Sequence, residues 1–210
     1  MKKIVHTDAQ IKSYLDTIKN SIEGDVGKAL PVYSSIPCGF FAVPRLLFPE
    51  IDGLGSYLTG KPEATVENIT TYLRLILSKL DARYSKYAVF ITFVYRHGLL
   101  HQHAPKNFEY KKKDISWMFN INNPNNPIDV QREFHLRFEH NFLQIDMNVF
   151  YKDVVDSIDL AYEEIIKSYK EKFDRSVFIQ ASPLNKTNIL KRKQYAKFIK
   201  NSDFTFFKKI

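Results

Sequence analysis

The sequence predicts an α+β protein, mainly an α-helical bundle with a small antiparallel β-meander inserted late in the chain. Three patterns carry that expectation. Apolar residues recur at helical spacing through the first hundred residues, then alternate with polar ones from Ile115 to Val149, and return to helical spacing from Asp153. A hydrophobic fraction of 44% with 14% aromatic residues in 210 positions excludes general disorder and argues for a bulky aromatic core.

Thr7 and Gln10 form a capping-box pair, and Ile11, Tyr14, Leu15, Ile18 and Ile22 follow on one stripe, so a first helix is expected over 8–22, ended by Gly24 and Gly27. Pro31, Pro37, Pro44 and Pro49 forbid a long straight helix, and short or kinked pieces are expected around 39–57. Thr65 caps a clearer helix with Val66, Ile69, Leu73, Ile76 and Leu80 on one face. Asp81 to Ser85 reads as a turn. The stretch 86–103 is rich in β-branched and aromatic residues, but its length favours a buried helix capped by Ser85 and stopped by Pro105.

Ile115, Trp117, Phe119 and Ile121 then alternate, as do Phe134, Leu136 and Phe138, and again Ile145, Met147 and Val149. These three strands in succession predict the meander, with Trp117 as a core or sheet anchor and His135 and His140 on an exposed face. Asp153 is expected to cap a long helix through Tyr169, with Asp153, Asp156, Asp159, Glu163 and Glu164 on its solvated side. A last helix is expected over 186–201. The organisation is a single domain over 1–210: a bundle at 8–104, the meander at 114–150, and C-terminal helices with a basic tail at 153–210.

One cysteine, Cys38, excludes an intramolecular disulfide and a Cys-rich zinc site, and fits a reducing compartment. Met1-Lys2-Lys3 is followed by polar residues where a signal peptide needs an apolar run, and no apolar stretch approaches the length of a bilayer span. A cytoplasmic protein without membrane contact is expected. Of the net charge of +8, the segment from Lys186 to Ile210 carries +7, with eight Lys/Arg against Asp203. Such a tail, including Lys191, Arg192 and Lys193, suits nucleic acid or an acidic surface, or forms a solvated amphipathic helix. A second basic knot, Lys106 and Lys111 to Lys113, lies beside His103. Gly53-Leu54-Gly55 lacks the context and the lysine of a nucleotide-binding loop.

The run Arg96-His97-Gly98-Leu99-Leu100-His101 carries the most chemistry. It joins a permanent guanidinium to an imidazole that titrates near neutrality, a pair suited to phosphodiester cleavage. On an unbroken α-helix, five positions separate Arg96 from His101 by about 140°. The pair converges only where the helix loosens, expected at Gly98. His97, His101 and His103 also invite a metal-site reading, but no cysteine lies near and the closest acidic residue is Glu109. No metal and no cofactor are expected.

A helix ending in Arg, then a polar residue, three positions and His resembles the signature of the HEPN superfamily. The matching residues are Arg96, His97 and His101, although Asn is commoner where His97 stands. The resemblance implies an up-and-down bundle and metal-independent RNA cleavage, with sites often shared by two subunits of a dimer. On that reading His101 acts as general base or acid, Arg96 stabilises the transition state and His97 orients or assists. RNA contacts would come from His103, Lys106, Lys111, Lys112, Lys113, Lys191, Arg192 and Lys193. The superfamily also implies a role in a toxin–antitoxin or defence system, with an antitoxin as possible protein partner. The alternative is a non-enzymatic helical module that dimerises or binds a protein.

Overall fold

The computed structural model describes residues 5–28, 30–31, 41–96, 107–110, 112–120 and 132–182. Helix α1 spans Asp8–Ile22. Its capping box forms as the sequence predicts: the Gln10 amide donates to Thr7 Oγ1 (3.3 Å) and the Thr7 amide to Gln10 Oε1 (2.9 Å). Gly24 and Gly27 do not end it, because the backbone continues through one π-turn, Glu23–Gly27. Gly27 meets the Tyr151 hydroxyl so closely that a Cβ there would lie 2.3 Å from the oxygen.

Helix α2 is one 18-residue helix, Ala42–Thr59, where shorter pieces were expected. Pro44 sits in its first turn, where a backbone N–H has no intrahelical acceptor to lose. Pro49 does forfeit a bond of the helical ladder. Val43, Leu47, Phe48, Ile51, Leu54 and Leu58 are all at most 1% exposed, and their burial outweighs that loss. Gly60, with φ of 70°, ends the helix in the left-handed conformation glycine tolerates.

Helix α3 spans Thr65–Leu75 and buries Asn68, Ile69, Tyr72 and Leu73; Thr65 is its first residue, not its cap. It packs on α2 with almost no separation at Gly55, where a Cβ would lie 2.2 Å from the Asn68 carbonyl oxygen. Asn68 spans the joint, donating to Asp52 Oδ1 (2.9 Å) and the Lys61 carbonyl (3.0 Å). After a short 3₁₀ turn, helix α4 runs Arg83–Phe90, earlier than expected. Asp81, not Ser85, holds its start, accepting from the Arg83 amide (2.9 Å). Its continuation, Ile91–Arg96, is a π-helix.

Four strands follow: β1 Phe108–Tyr110, β2 Lys113–Asn120, β3 Arg137–Glu139 and β4 Phe142–Asp146, in the order β1-β2-β4-β3. The sheet is mixed, not an antiparallel meander. β1–β2 and β3–β4 are hairpins, but β2 and β4 run parallel, with Trp117 opposite Leu143 and Phe119 opposite Ile145. The physical reason lies in strand placement: β4 lies between β2 and β3, so β2 is paired with the strand that runs its own way. Each hairpin closes through a two-residue loop with positive φ, at Lys112 (60°) in the first and at His140 (49°) and Asn141 (65°) in the second.

Helix α5, Met147–Glu164, begins six residues before Asp153, because Asp146 is the true cap and accepts from the Val149 amide (3.0 Å). A π-turn, Ile165–Tyr169, joins it to helix α6, Lys170–Ala181. α2 is the centre of the bundle, packed on α3, α5 and α6, while α1 lies along α5. Lys12 and Lys19 of α1 both reach Asp159 of α5, at 2.6 and 2.8 Å. One contiguous core draws on every helix and on β4. The helix expected over 186–201 lies outside the described residues. No helix among the described residues is long and apolar enough to cross a membrane.

Gly55→Ala should therefore cost on the order of 2 kcal/mol in urea unfolding, because the new methyl must push α3 off α2. Gly53→Ala, where a Cβ meets open space, should be neutral or stabilise by about 0.5–1 kcal/mol. Equal effects at the two glycines would refute the close approach.

Candidate functional site

The motif helix leaves α spacing at Ile91, seven residues before Gly98. A π-turn bonds i to i+5, so it brings residues five apart nearer to one line than an α-turn does. Arg96 is its last described residue. Of the nominated residues, His97, His101, His103, Lys106, Lys111, Lys191, Arg192 and Lys193 lie outside the described residues. Lys112 and Lys113 are exposed at the β1–β2 turn.

The flank of the motif helix faces an open cleft of about 690 Å³. Val89 and Phe93 line one side, and Thr65, Val66, Glu67 and Thr70 of α3 line the other. The two walls are pinned by a Thr70–Thr92 hydroxyl contact of 3.1 Å. Thr92 is wholly buried and also donates to the Ala88 carbonyl (2.9 Å).

At the other end of α4 the structure assembles a polar junction that the sequence reading missed. Tyr84, His135 and Asp153 are each 0% exposed. Tyr84 Oη lies 3.0 Å from Asp153 Oδ2 and 2.8 Å from His135 Nε2, and His135 Nδ1 lies 3.2 Å from the Asp146 carbonyl oxygen. Arg132, in the 3₁₀ turn Arg132–Phe134, grips Asp153 with both terminal nitrogens, at 2.5 and 3.1 Å. Arg83 holds Asp81 through Nε and one terminal nitrogen (2.6–3.0 Å) and donates to the Arg132 carbonyl (3.2 Å). The junction thus ties the sheet insertion to α4 and α5.

Burial corrects two expectations here. His135 lies inside the protein because the Arg132–Phe134 turn folds it under Tyr84, while His140 stays exposed at its hairpin. Asp153 is not on a solvated face, unlike Asp156, Asp159 and Glu164, which form surface ion pairs with lysines. With α5 starting at Met147, Asp153 falls on the buried stripe of Phe150, Val154, Ser157 and Ile158, and that stripe is the signal that could have found it.

Burial pushes the Asp153 carboxyl up, and the bonds from Arg132 and Tyr84 pull it back without offsetting this. Arg132, more accessible, is favoured in its charged form by Asp153. Burial also acts to raise Asp81, but the Arg83 bonds outweigh it and hold that carboxyl below the usual range. Burial holds His135 down to about 3, well under the 6.5 of a free imidazole, and keeps the Tyr84 phenol protonated. Among the described residues no cluster of three or more His, Cys, Asp or Glu is placed to hold a metal.

Set against protein-family models, curated proteins and solved structures, the chain matches none.

The neutral His135 has a measurable consequence. Its folded pKa is depressed, so its contribution to stability is present above 6.5 and is lost as pH falls toward 3. Urea unfolding from neutral to acid pH should show that decline, and His135→Leu should flatten it while lowering stability at pH 7. An unchanged slope in the variant would contradict the buried neutral imidazole.

Proposed function

We propose that this chain is a HEPN-like, metal-independent endoribonuclease that acts as a dimer, in a toxin–antitoxin or defence setting. One observation carries the reading: Arg96 is the last described residue of a helix that has widened to π spacing, and His101 follows at the fifth position of the sequence. The mainly helical architecture, with a sheet between the motif helix and the next long helix, is compatible with it. The basic segment 186–210 supplies a charge of the sign RNA requires.

The chemistry needs three groups. A neutral His101 imidazole takes the proton of a ribose 2′-hydroxyl, whose oxygen attacks the adjacent phosphorus. The Arg96 guanidinium stabilises the charge gathering on the phosphoryl oxygens. The bond from phosphorus to the 5′ oxygen breaks, leaving a 2′,3′-cyclic phosphate, and the leaving oxygen takes a proton from His97, His103 or the partner subunit's His101.

A second reading, a non-enzymatic interaction module, is favoured by the outer face of the sheet. Met118 and Phe142 are 45% and 39% exposed there, and Phe138 at the sheet edge is 45% exposed. It predicts a protein partner and no turnover of RNA.

Purified protein incubated with RNA in chelator should cleave it, and Arg96→Ala and His101→Ala should each lose at least roughly a hundredfold in rate. Equal cleavage by wild type and His101→Ala would remove the catalytic assignment. Deleting 186–210 should weaken RNA binding and flatten its salt dependence. Salt-dependent binding without cleavage would leave a nucleic-acid-binding protein, and absence of both would favour the protein-partner reading.

A further inference from the structure

The polar junction of Tyr84, His135 and Asp153 contains one hydrogen too few for its own contacts. A carbonyl oxygen only accepts, so the Asp146 oxygen at 3.2 Å requires the hydrogen of His135 on Nδ1. In the neutral ring, Nε2 is then a bare acceptor, and it faces Tyr84 Oη at 2.8 Å. Asp153 Oδ2, 3.0 Å from the same Oη, is also an acceptor when ionised. Tyr84 has a single hydrogen for two acceptors. Three contacts share two hydrogens.

At three other buried hydroxyl sites the contacts close. Ser157 donates to the Val154 carbonyl (2.7 Å) and receives from Tyr72 (2.7 Å). Thr92 donates to the Ala88 carbonyl and receives from Thr70. Ser56 donates to the Gly53 carbonyl (2.6 Å) and receives from Ser176 and Gln180.

An additional proton has two places to go. On the imidazole it would make a wholly buried cation facing the guanidiniums of Arg83 and Arg132, with only Asp81 and Asp153 to balance it. On Asp153 it neutralises a buried carboxylate whose oxygens still accept from Arg132. We propose that the chain from Asp146 through His135 and Tyr84 takes up one proton on the Asp153 carboxyl, and that the Tyr84 hydrogen changes acceptor with it. In the protonated state Asp153 donates to Tyr84, Tyr84 to His135 Nε2, and His135 Nδ1–H to the Asp146 carbonyl, so every contact is filled. In the ionised state Tyr84 turns to the carboxylate, the stronger acceptor. The contact between Tyr84 and His135 then opens, and the insertion loses one tie to α4.

The groups that face the chain set the pH of the change. The burial of Asp153 itself and, to a lesser degree, Asp81 before α4 favour the neutral carboxyl. Arg132, from the 3₁₀ turn, favours the ionised one, and Arg83 lends the same sign from the start of α4. The raised carboxyl of Asp153 and the depressed imidazole of His135 agree with the proton's placement. The junction is therefore a proton-linked latch between the sheet insertion and the bundle, independent of any activity toward RNA.

Side-chain carboxyl ¹³C shifts and imidazole ¹⁵N shifts of the full chain, followed over roughly pH 4 to 8, test it. Asp153 should titrate above the ordinary carboxylate range. In the same step the His135 Nε2 resonance should move, while Nδ1 stays protonated. Tyr84→Phe should uncouple the two signals, and Asp153→Asn, whose amide donates permanently to Tyr84, should hold Nε2 at its acid position at every pH. Titration of Asp153 at or below the ordinary range would overturn the proposal, as would an imidazolium at His135 or an Nε2 step that persists in Asp153→Asn. Wild type alone decides the matter where a variant does not fold.

Discussion

The Asp153 carboxylate is wholly buried near the start of α5, and three parts of the chain converge on it. Arg132 reaches it from the turn before β3, Tyr84 from the first turn of α4, and His135 through Tyr84. A buried carboxylate is costly unless its partners are held in place, so these segments cannot move independently. Around this joint the rest is apolar packing. Phe150 of α5 stacks on Phe48 of α2 and on Tyr84, and β4 runs directly into the α5 cap at Asp146. The insertion is thus anchored at one end of its last strand, where Asp146 meets both the junction and the α5 cap.

The bundle depends on a second constraint of different character. α2 and α3 approach until the Gly55 Cα faces the Asn68 carbonyl, leaving no room for a side chain. Polar groups line this contact: Asn68 joins Asp52 and the Lys61 carbonyl, Thr59 reaches Asn68, and on the opposite side of α2 Ser56 meets Ser176 of α6. Such bonds contribute little net energy, but they penalise sliding, since any other register leaves buried donors unmatched. Helix order is set by burial; helix register is set by these residues.

Local signals in the sequence were sufficient where structure is local. The Thr7–Gln10 box and the stripe from Ile11 to Ile22 describe α1 to the residue. The prolines of α2 misled because a proline reports its own lost hydrogen bond and nothing of the apolar face around it. Alternation in β2, β3 and β4 reports which side chains share a face, not which strand lies beside which, so the parallel β2–β4 pairing was invisible. Ile145, Met147 and Val149 alternate straight across the boundary from strand to helix, which concealed the Asp146 cap and made Asp153 look like the start of α5. The misplaced start hid Asp153's burial. Tyr84, Arg132 and His135 were illegible for a simpler reason: they are far apart in sequence and meet only after the sheet has docked.

Native-state hydrogen exchange tests most directly whether the insertion is welded to the bundle by this joint. Amides of β4 and of the first turns of α5 are predicted to exchange through one common opening, with the same free energy and the same dependence on urea. Exchange of β4 at a markedly lower free energy than α5, with α5 still protected, would show that the sheet comes away on its own and that the buried carboxylate does not hold the two together.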